Sequence, residues 1–276
     1  MAQTINTNLV SLNAQRNLSM SQGSLATSMQ RLSSGLRVNS AKDDAAGLAI
    51  ADRMQTQVRG MNVAIRNAND GISMAQTAEG AIGKVGDMLQ RMRELAVQSG
   101  NATNSEADRL NLQEEYTALS AEVTRTIDTT RFNGNTILKN AGPQVYQVGA
   151  DAGDTVTVDT TDLSAAAGVN DALTSVVTGT DGDSARLALA AIDIALNSVN
   201  GERAKFGATQ NRFEAVIETL RVSSENQSAA RGRIMDADYA METANMSRAQ
   251  ILQQAGTAMV AQANQLPQQV LQLLKG

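Results

Sequence analysis

The amino-acid sequence predicts a mainly α-helical protein, in which long antiparallel helices form a coiled-coil-like rod with a small β-hairpin. Three observations support this fold class. Apolar residues recur at steps of three and four through most of the chain, both ends carry almost no charge, and aromatic residues are only 2% of the 276 residues. So few large aromatic side chains suit thin helical packing better than a thick globular core.

A first helix is predicted near the N-terminus, where Arg16 is the single charged residue among residues 1 to 30. Its apolar track contains three leucines that are seven residues apart, and two further residues extend it: Leu18, Leu25, Leu32, Met29 and Leu36. A stripe with this period predicts a helix that packs lengthwise on another helix.

Two more helices are predicted in the first half. An apolar track from Met54 to Ala96, with one slip at Ala78, predicts a helix from about residue 44 to 100. Ser40 is its predicted N-cap, with Asp43 three residues later. Residues 99–105 are predicted to be a loop, and a shorter helix over residues 112–127 then ends before a turn at Asn133-Gly134.

A β-hairpin is predicted at about residues 144–160, because alternating Val145 and Gln147 precede the turn sequence GADAGD and Val156 and Val158 follow it. The next segment is rich in Gly, Asp and Thr, so we expect a loop with one helical turn.

The second half predicts the most regular helix, from about residue 187 to 236. Fourteen positions from 189 to 234 alternate steps of three and four, and nine of them hold Leu, Ile, Val or Phe. The polar residues on this track are Arg203, Gln210, Ser224, Gln227 and Arg231. They favour register control or further partners over a simple two-stranded coil.

The C-terminal segment from Gln250 to Leu274 contains 25 residues without a charge, and 8 of them are Gln. These glutamines exclude a membrane-spanning helix, and the lack of Lys and Arg argues against a helix lying on a membrane. Its apolar track comprises Leu252, Ala255, Met259, Leu266, Val270 and Leu273. We expect this helix to pair with the N-terminal helix and both to be buried in an assembly, since neither end can cover its stripe alone. The ends of a lone chain should be frayed.

The predicted organisation is therefore a terminal coiled-coil domain of residues 1–43 plus 236–276 and a helical rod domain of residues 44–235 that contains the hairpin.

The composition argues against several classes of function. The chain has no His and no Cys, which removes the usual catalytic base, nucleophile and transition-metal ligands, so we expect no enzyme, no metal site and no cofactor. Its net charge of −5 does not favour nucleic-acid binding. GAIGKVGD lacks the spacing of a phosphate-binding loop, and its glycines instead suggest close helix contact or bending. No secretory signal peptide is evident at the N-terminus.

Several segments together carry a family resemblance. They are TINTNLVSLNAQRNL, RLSSGLRVNSAKDDAAGLAIADRM, LQRMRELAVQSGNATN, the FNG turn and DADYAMETANMSRAQILQQAGTAMVAQANQLPQQVLQLL. In this order the chain resembles bacterial flagellin over about residues 1–140 and 185–276. It is similar to a near-minimal flagellin, with only a hairpin and a short loop where larger members insert outer domains.

The resemblance implies a structural subunit that polymerises into the hollow helical filament of the bacterial flagellum, with the paired termini forming its inner tube. The polymerisation interface would include Leu18, Leu25, Leu32, Leu252, Met259, Leu266, Val270 and Leu273. Implied partners are other copies of the chain, a flagellar export chaperone, the filament cap protein and hook-associated junction proteins. The subunit would leave the cell by type III export without a cleaved signal peptide. A hook–filament junction protein of the same superfamily is the alternative.

The resemblance also implies a surface for the Toll-like innate immune receptor that recognises flagellin. The matching residues here are Gln90, Arg91, Glu94, Leu95, Gln98 and Glu115. The same residues would also serve contacts between subunits, so both interpretations stay open.

Overall fold

The structure is a computed structural model that describes residues 7–179 and 182–275, with side chains described as far as residue 265. Within these residues the chain forms six α-helices and two short antiparallel strand pairs. The fold is mainly α with a small β-hairpin, as the sequence predicts. The helices are α1 (Leu9–Ser34), α2 (Ala45–Ser99), α3 (Glu106–Thr129), α4 (Val169–Thr174), α5 (Asp183–Met235) and α6 (Tyr239–Lys275).

The chain divides into two compact units. Residues 1–56 and 226–276 form one, called here the terminal unit, and residues 57–225 form the other, called the central unit. Because α2 and α5 each run through the division, both helices contribute residues to both units. The predicted domain boundaries lie instead near the N-terminus of α2 and the C-terminus of α5, and they stay predictions.

The central unit holds the larger hydrophobic core, which α2, α3 and α5 build from their inward faces. On α5 the predicted track supplies five fully or nearly fully buried residues: Ile192, Val199, Phe206, Phe213 and Ile217. Arg203 leaves that track for the surface, and the neighbouring Glu202 is 9% exposed in the core-facing row. The helical period therefore predicts the buried apolar positions, while the charged residues do not follow it: Arg203 is exposed on the track, and the buried Glu202 accepts from Lys205 at 2.7 Å.

The start of α2 differs from the prediction. Ser40 is not its N-cap, because residues 40–43 form a separate turn in which the Asp43 N–H donates to the Ser40 carbonyl. The Asp43 carboxylate accepts from the Asn39 and Ser40 backbone N–H groups and from the Ser40 hydroxyl. The helix begins after Asp44, whose Oδ1 accepts from the Gly47 N–H at 2.8 Å.

The glycines of GAIGKVGD fit the prediction of close helix contact only in part, since a Cβ at Gly86 would lie 3.8 Å from Cγ1 of Val199 on α5. Gly80 and Gly83 are not sites of close helix contact, since a Cβ at either position would have nothing within 4 Å. The close approach is at Gly71, where a Cβ would lie 2.7 Å from Cζ of Phe213 on α5. Phe213 in turn packs edge-on against Tyr146, with 5.4 Å between ring centroids.

Two antiparallel strand pairs follow α3. Strands β1 (Arg131–Phe132) and β2 (Asn135–Thr136) flank the predicted turn, in which Asn133 has φ 48° and Gly134 φ 84°. The larger hairpin pairs β3 (Gly142–Gln147) with β4 (Thr155–Thr160), so the predicted hairpin is confirmed.

The segment from 161 to 179 contains a 3-10 turn (Leu163–Ala165) and α4, and polar groups of α3 hold its backbone. Side chains of α3 contact its peptide groups at four points: Arg109 to the Gly179 carbonyl, Gln113 to the Val177 N–H, Tyr116 to the Ala172 carbonyl and Ser120 to the Leu173 carbonyl. These bonds hold the backbone of the segment, while its side chains Leu163, Val169, Ala172 and Val177 are buried in the central core.

Candidate assembly and contact surfaces

The pairing of α1 with α6 organises the terminal unit, and small or polar residues form its buried centre. In α1 the buried residues are Ser11 and Ser28. In the described part of α6 they are Glu242, Ala249 and Ala263. These fully buried side chains contribute little to the hydrophobic effect, because they remove little apolar area from water, and the partly buried Leu18, Leu25 and Leu32 supply the rest of the apolar contact.

Neutral hydrogen bonds link the two helices where the start of α1 meets residues 263–264 of α6, called here the open end of the pair. Asn8 Nδ2 donates to the Ala263 carbonyl at 2.7 Å, and Ser11 Oγ donates to Asn264 Oδ1 at 2.7 Å. The Asn8 side chain also accepts from the Ser11 N–H and thereby caps α1.

A charged network links the helices near the other end. Glu242 of α6 accepts from Arg31 Nη1 at 2.9 Å and from Ser28 Oγ at 3.0 Å, both on α1. Asn245 adds a longer contact at 3.4 Å. The Glu242 side chain is 8% exposed, and the hydrogen bond from Arg31 holds the pKa of its carboxyl below the usual 4.5.

The large apolar side chains of the terminal helices face outward instead. Ten of them are between 50% and 69% exposed: Leu9, Val10, Leu12, Met20, Met29, Tyr239, Met241, Ile251, Leu252 and Met259. Several of these line an open groove of about 520 Å³ between the helices, together with Leu18, Ala255 and Gly256. An apolar surface of this kind marks a contact site in a soluble protein.

The predicted interface residues fall into three groups. Leu18, Leu25 and Leu32 are partly buried on the α1 face that meets α6. Leu252 and Met259 are 51% and 59% exposed, because the α6 face toward α1 lies one residue away, on Ala249, Gln253, Gly256, Val260 and Ala263. Leu266, Val270 and Leu273 belong to the backbone of α6, but their side chains lie outside the described residues.

The predicted receptor surface lies on α2 and α3 of the central unit. Arg91 is its centre, since the guanidinium donates to Glu94 at 2.9 Å and to Glu115 at 2.9 Å. These bonds, with the one to Glu94 first, raise the pKa of Arg91, so it stays charged at every accessible pH. The arrangement ties neighbouring helices together and presents charge of both signs to solvent.

The remaining residues of that prediction separate by burial. Gln90 and Gln98 are exposed on the same helix. Leu95 is 1% exposed, because it packs in the central core, so the side chain shapes the surface from below and does not contribute to it. The exposed set is thus Gln90, Arg91, Glu94, Gln98 and Glu115.

In the part of the chain that the structure describes, no three His, Cys, Asp or Glu side chains come together in a way that could hold a metal ion. None of the helices over those residues is long and apolar enough to cross a membrane.

Glu242 was not among the interface residues predicted from the sequence. It is the sole acidic residue of α6, whose other charges are Arg248 and Lys275. A single carboxylate in a helix of 37 residues was the available signal, since an isolated charge in an otherwise uncharged face needs a partner.

Comparison with known proteins gives consistent matches along the chain. Residues 5–142 match the family model for the bacterial flagellin N-terminal helical region, and residues 189–274 match that for the C-terminal helical region. A flagellin from Halalkalibacterium halodurans is 48% identical over 274 residues, covering 98% of this chain and 99% of the relative. A Bacillus subtilis flagellin is 40% identical over 302 residues, covering 98% and 99%. The crystal structure of Bacillus cereus flagellin superposes with a TM-score of 0.50 at 30% identity, covering 60% of this chain and 94% of that one.

Proposed function

This chain belongs to the bacterial flagellin family, and from that premise we propose that its terminal unit drives polymerisation by burying the outward-facing apolar residues of α1 and α6 against other copies. The protein is a structural subunit of the bacterial flagellar filament, which lies outside the cell. We infer further that it has no enzymatic activity of its own and works with no cofactor.

One observation carries the proposal. The distribution of apolar side chains in the helix pair is the reverse of that in a domain that is stable alone. The buried residues of the pair are small or polar, with Leu18, Leu25 and Leu32 only partly buried beside them, while Leu12, Leu252, Met259 and similar residues face water. Burying one such side chain is worth about 1.5–3 kcal/mol, so covering many of them in a polymer supplies a large driving force. Outward faces almost free of charge can be buried without the cost of desolvating ions.

Seeded polymerisation tests this proposal. Leu252→Asp places a carboxylate on the apolar surface at a position that is already 51% exposed, so the monomer should fold normally while seeded filaments fail to grow. The matched control is Thr219→Asp, which adds the same charge to an exposed stretch of α5 between Glu218 and Arg221.

Electron microscopy and sedimentation measure filament growth, and circular dichroism measures helix content. We also expect no filaments from a chain lacking residues 250–276. Filaments of ordinary length from Leu252→Asp, or from the truncated chain, would refute the proposal.

We also propose specific binding partners for this chain, on the basis of its exposed apolar terminal surface. A terminal unit with an uncovered apolar surface needs protection before assembly, which suits an export chaperone, and controlled folding at the growing tip, which suits a cap protein. Hook-associated junction proteins would contact the same terminal surface at the base of the filament. We propose in addition that the chain is exported without a cleaved signal peptide. Loss of chaperone binding on deletion of residues 250–276 would support the chaperone as a partner, and unchanged binding would contradict it.

We also propose that the exposed set around Arg91 is a contact surface for the innate immune receptor. Arg91→Ala removes both ion pairs and should lower receptor activation by monomers. Arg93→Ala is the matched control, because Arg93 on the same helix pairs instead with Asp193 on α5 at 2.7 Å. Equal activation by the two variants would refute a role for this surface.

A further inference from the structure

The terminal helix pair has an ambiguity of register in its apolar part. The leucines of α1 that face α6 are seven residues apart, at Leu18, Leu25 and Leu32. The small residues of α6 that face α1 are also seven apart, at Ala249, Gly256 and Ala263. Both patterns repeat with the same period, so sliding α6 by one heptad along α1 again places leucines opposite small residues.

The contact at Gly256 shows how closely this pattern fits. A Cβ at Gly256 would lie 3.1 Å from Cδ1 of Leu18 and 3.6 Å from its Cβ. Ala249 and Ala263 differ from Gly256 by one methyl group each, and both are buried. The apolar contact therefore distinguishes the observed register only weakly from the two registers that are one heptad away.

The charged network does distinguish them. Glu242 is the one charged residue among the buried positions of the described terminal unit, and its partners Ser28 and Arg31 occur once on the facing surface of α1. A slide in one direction puts Ala249 where Glu242 lies, leaving Ser28 and Arg31 without their acceptor. A slide in the other direction moves Glu242 one heptad toward the apolar middle of the pair. The first slide leaves Arg31, whose side chain is 32% exposed, without its carboxylate, and the second leaves the buried Glu242 without its cation.

The hydrogen bonds at the open end do not serve the same purpose. Ser11 bonds to Asn264, which is exposed, so water can replace its partner after a slide at little cost. The backbone of residues 35–38 also pairs with that of residues 235–237, for example through the Arg37 N–H to the Met235 carbonyl, and this ties the two chain segments together where α1 ends and α6 begins. We propose that Glu242, with Ser28 and Arg31, adds the side-chain contact that fixes the register of α1 against α6 along the helices themselves. Its role is to select one pairing of the two ends, more than to add net stability, and it thereby sets which apolar residues are presented for assembly.

This inference rests on the proposed function only in its last step, because the register itself can be measured without a filament. The chain contains no native Cys, so introduced pairs are the sole thiols. Leu18→Cys with Gly256→Cys is the native-register probe, since the 3.6 Å between the two Cβ positions suits a disulfide. Leu18→Cys with Ala249→Cys or with Ala263→Cys reports a slide of one heptad, roughly 10.5 Å along the helix.

Each probe is placed in the full chain, oxidised during seeded assembly, and separated by denaturing gel electrophoresis so that links within a chain are scored apart from links between chains. In the parent sequence the native probe should link at least about tenfold more than either shifted probe, as a broken buried ion pair is costly. In Arg31→Met/Glu242→Met, which keeps the side chains long and removes both charges, the ratio should fall well below its parent value, although the backbone pairing of residues 35–38 with 235–237 is left in place. Arg16→Met, which removes the other cation of α1 at an exposed site, should leave the ratio unchanged.

Three results are decisive. A collapsed ratio with helix content retained supports the register role. A ratio still near its parent value in the double Met variant overturns it. Loss of all three links in that variant also overturns it, because the network would then be needed for pairing itself. Failure of the proposed function is separate: the parent chain would show the native link and yet form no filaments.

Discussion

Substituting two glycines of α2 with alanine should change stability in opposite directions. Both lie within one long helix, where Gly costs about 1 kcal/mol relative to Ala. Gly80 is exposed and a Cβ there would have nothing within 4 Å, so Gly80→Ala should stabilise the protein by about 0.5–1 kcal/mol. Gly71 is buried, and a Cβ there would lie 2.7 Å and 2.8 Å from two ring atoms of Phe213.

Phe213 has little room to yield. Its side chain is fully buried, and its ring is held edge-on against Tyr146. Forcing a methyl group into a packed core costs about 1–3 kcal/mol. Subtracting the helical gain, Gly71→Ala should lower the free energy of unfolding by up to about 2 kcal/mol.

The assay is urea unfolding of the monomer followed by circular dichroism, with both variants measured beside the parent chain. Phe213→Leu supplies the test of cause: it should cost less in the Gly71→Ala background than alone, with a coupling of about 0.5–3 kcal/mol. If Gly71→Ala stabilised the chain as much as Gly80→Ala, or if the coupling were zero, the close approach of α2 to this ring would be refuted.

Three further changes follow from contacts already described. Tyr116→Phe removes the 2.6 Å bond to the Ala172 carbonyl and should cost about 1–3 kcal/mol in urea unfolding. Burial raises the pKa of Tyr116 from 10.0 to about 12, so the free energy of unfolding of the parent chain should fall between pH 10 and 12. The fall should be smaller in Tyr116→Phe, and an equal fall in both chains would contradict the burial of this hydroxyl. Glu242→Gln should make the helix content of the terminal helices less sensitive to acid. The pKa of this carboxyl is depressed in the folded state, so the ionised group stabilises the fold above pH 4.5 and that contribution is lost as the pH falls through the folded-state pKa. An acid titration of helix content that is unchanged in the variant would contradict this. Gly168→Ala should destabilise the central unit by about 1–3 kcal/mol, since φ is +76° and a Cβ would lie 2.7 Å from the Ala195 nitrogen; wild-type thermal unfolding would argue against that geometry.

The sequence predicted the long helices well because their apolar period extends over many turns. The residues buried on α5, such as Ile192 and Phe213, follow directly from that period. What it predicted poorly depends on partners distant in the chain. Nothing near Gly71 or Gly80 indicates which one faces an aromatic ring, and the close contact at Gly71 is made by a residue far away in the sequence.

The candidate surfaces show the same division. The apolar stripe of α6 was recognised from Leu252 and Met259, yet the face that meets α1 includes Gln253 and Gly256, which a hydrophobicity pattern passes over. Burial of Leu95 could not be separated from exposure of its neighbours, because adjacent positions of an amphipathic helix differ only in direction. Register within the terminal pair was likewise beyond a pattern that repeats every seven residues.

The hold of α3 on residues 161 to 179 has a consequence for variation. Four side chains of α3 bond to backbone groups of this segment: Arg109, Gln113, Tyr116 and Ser120. Every amino acid supplies the backbone carbonyl, and every one except proline supplies the N–H. The exposed side chains there, such as Val176, take no part in the attachment and are free to change. Substitutions at such exposed positions should therefore change the surface of this segment, while its buried side chains and its bonds to α3 keep it in place.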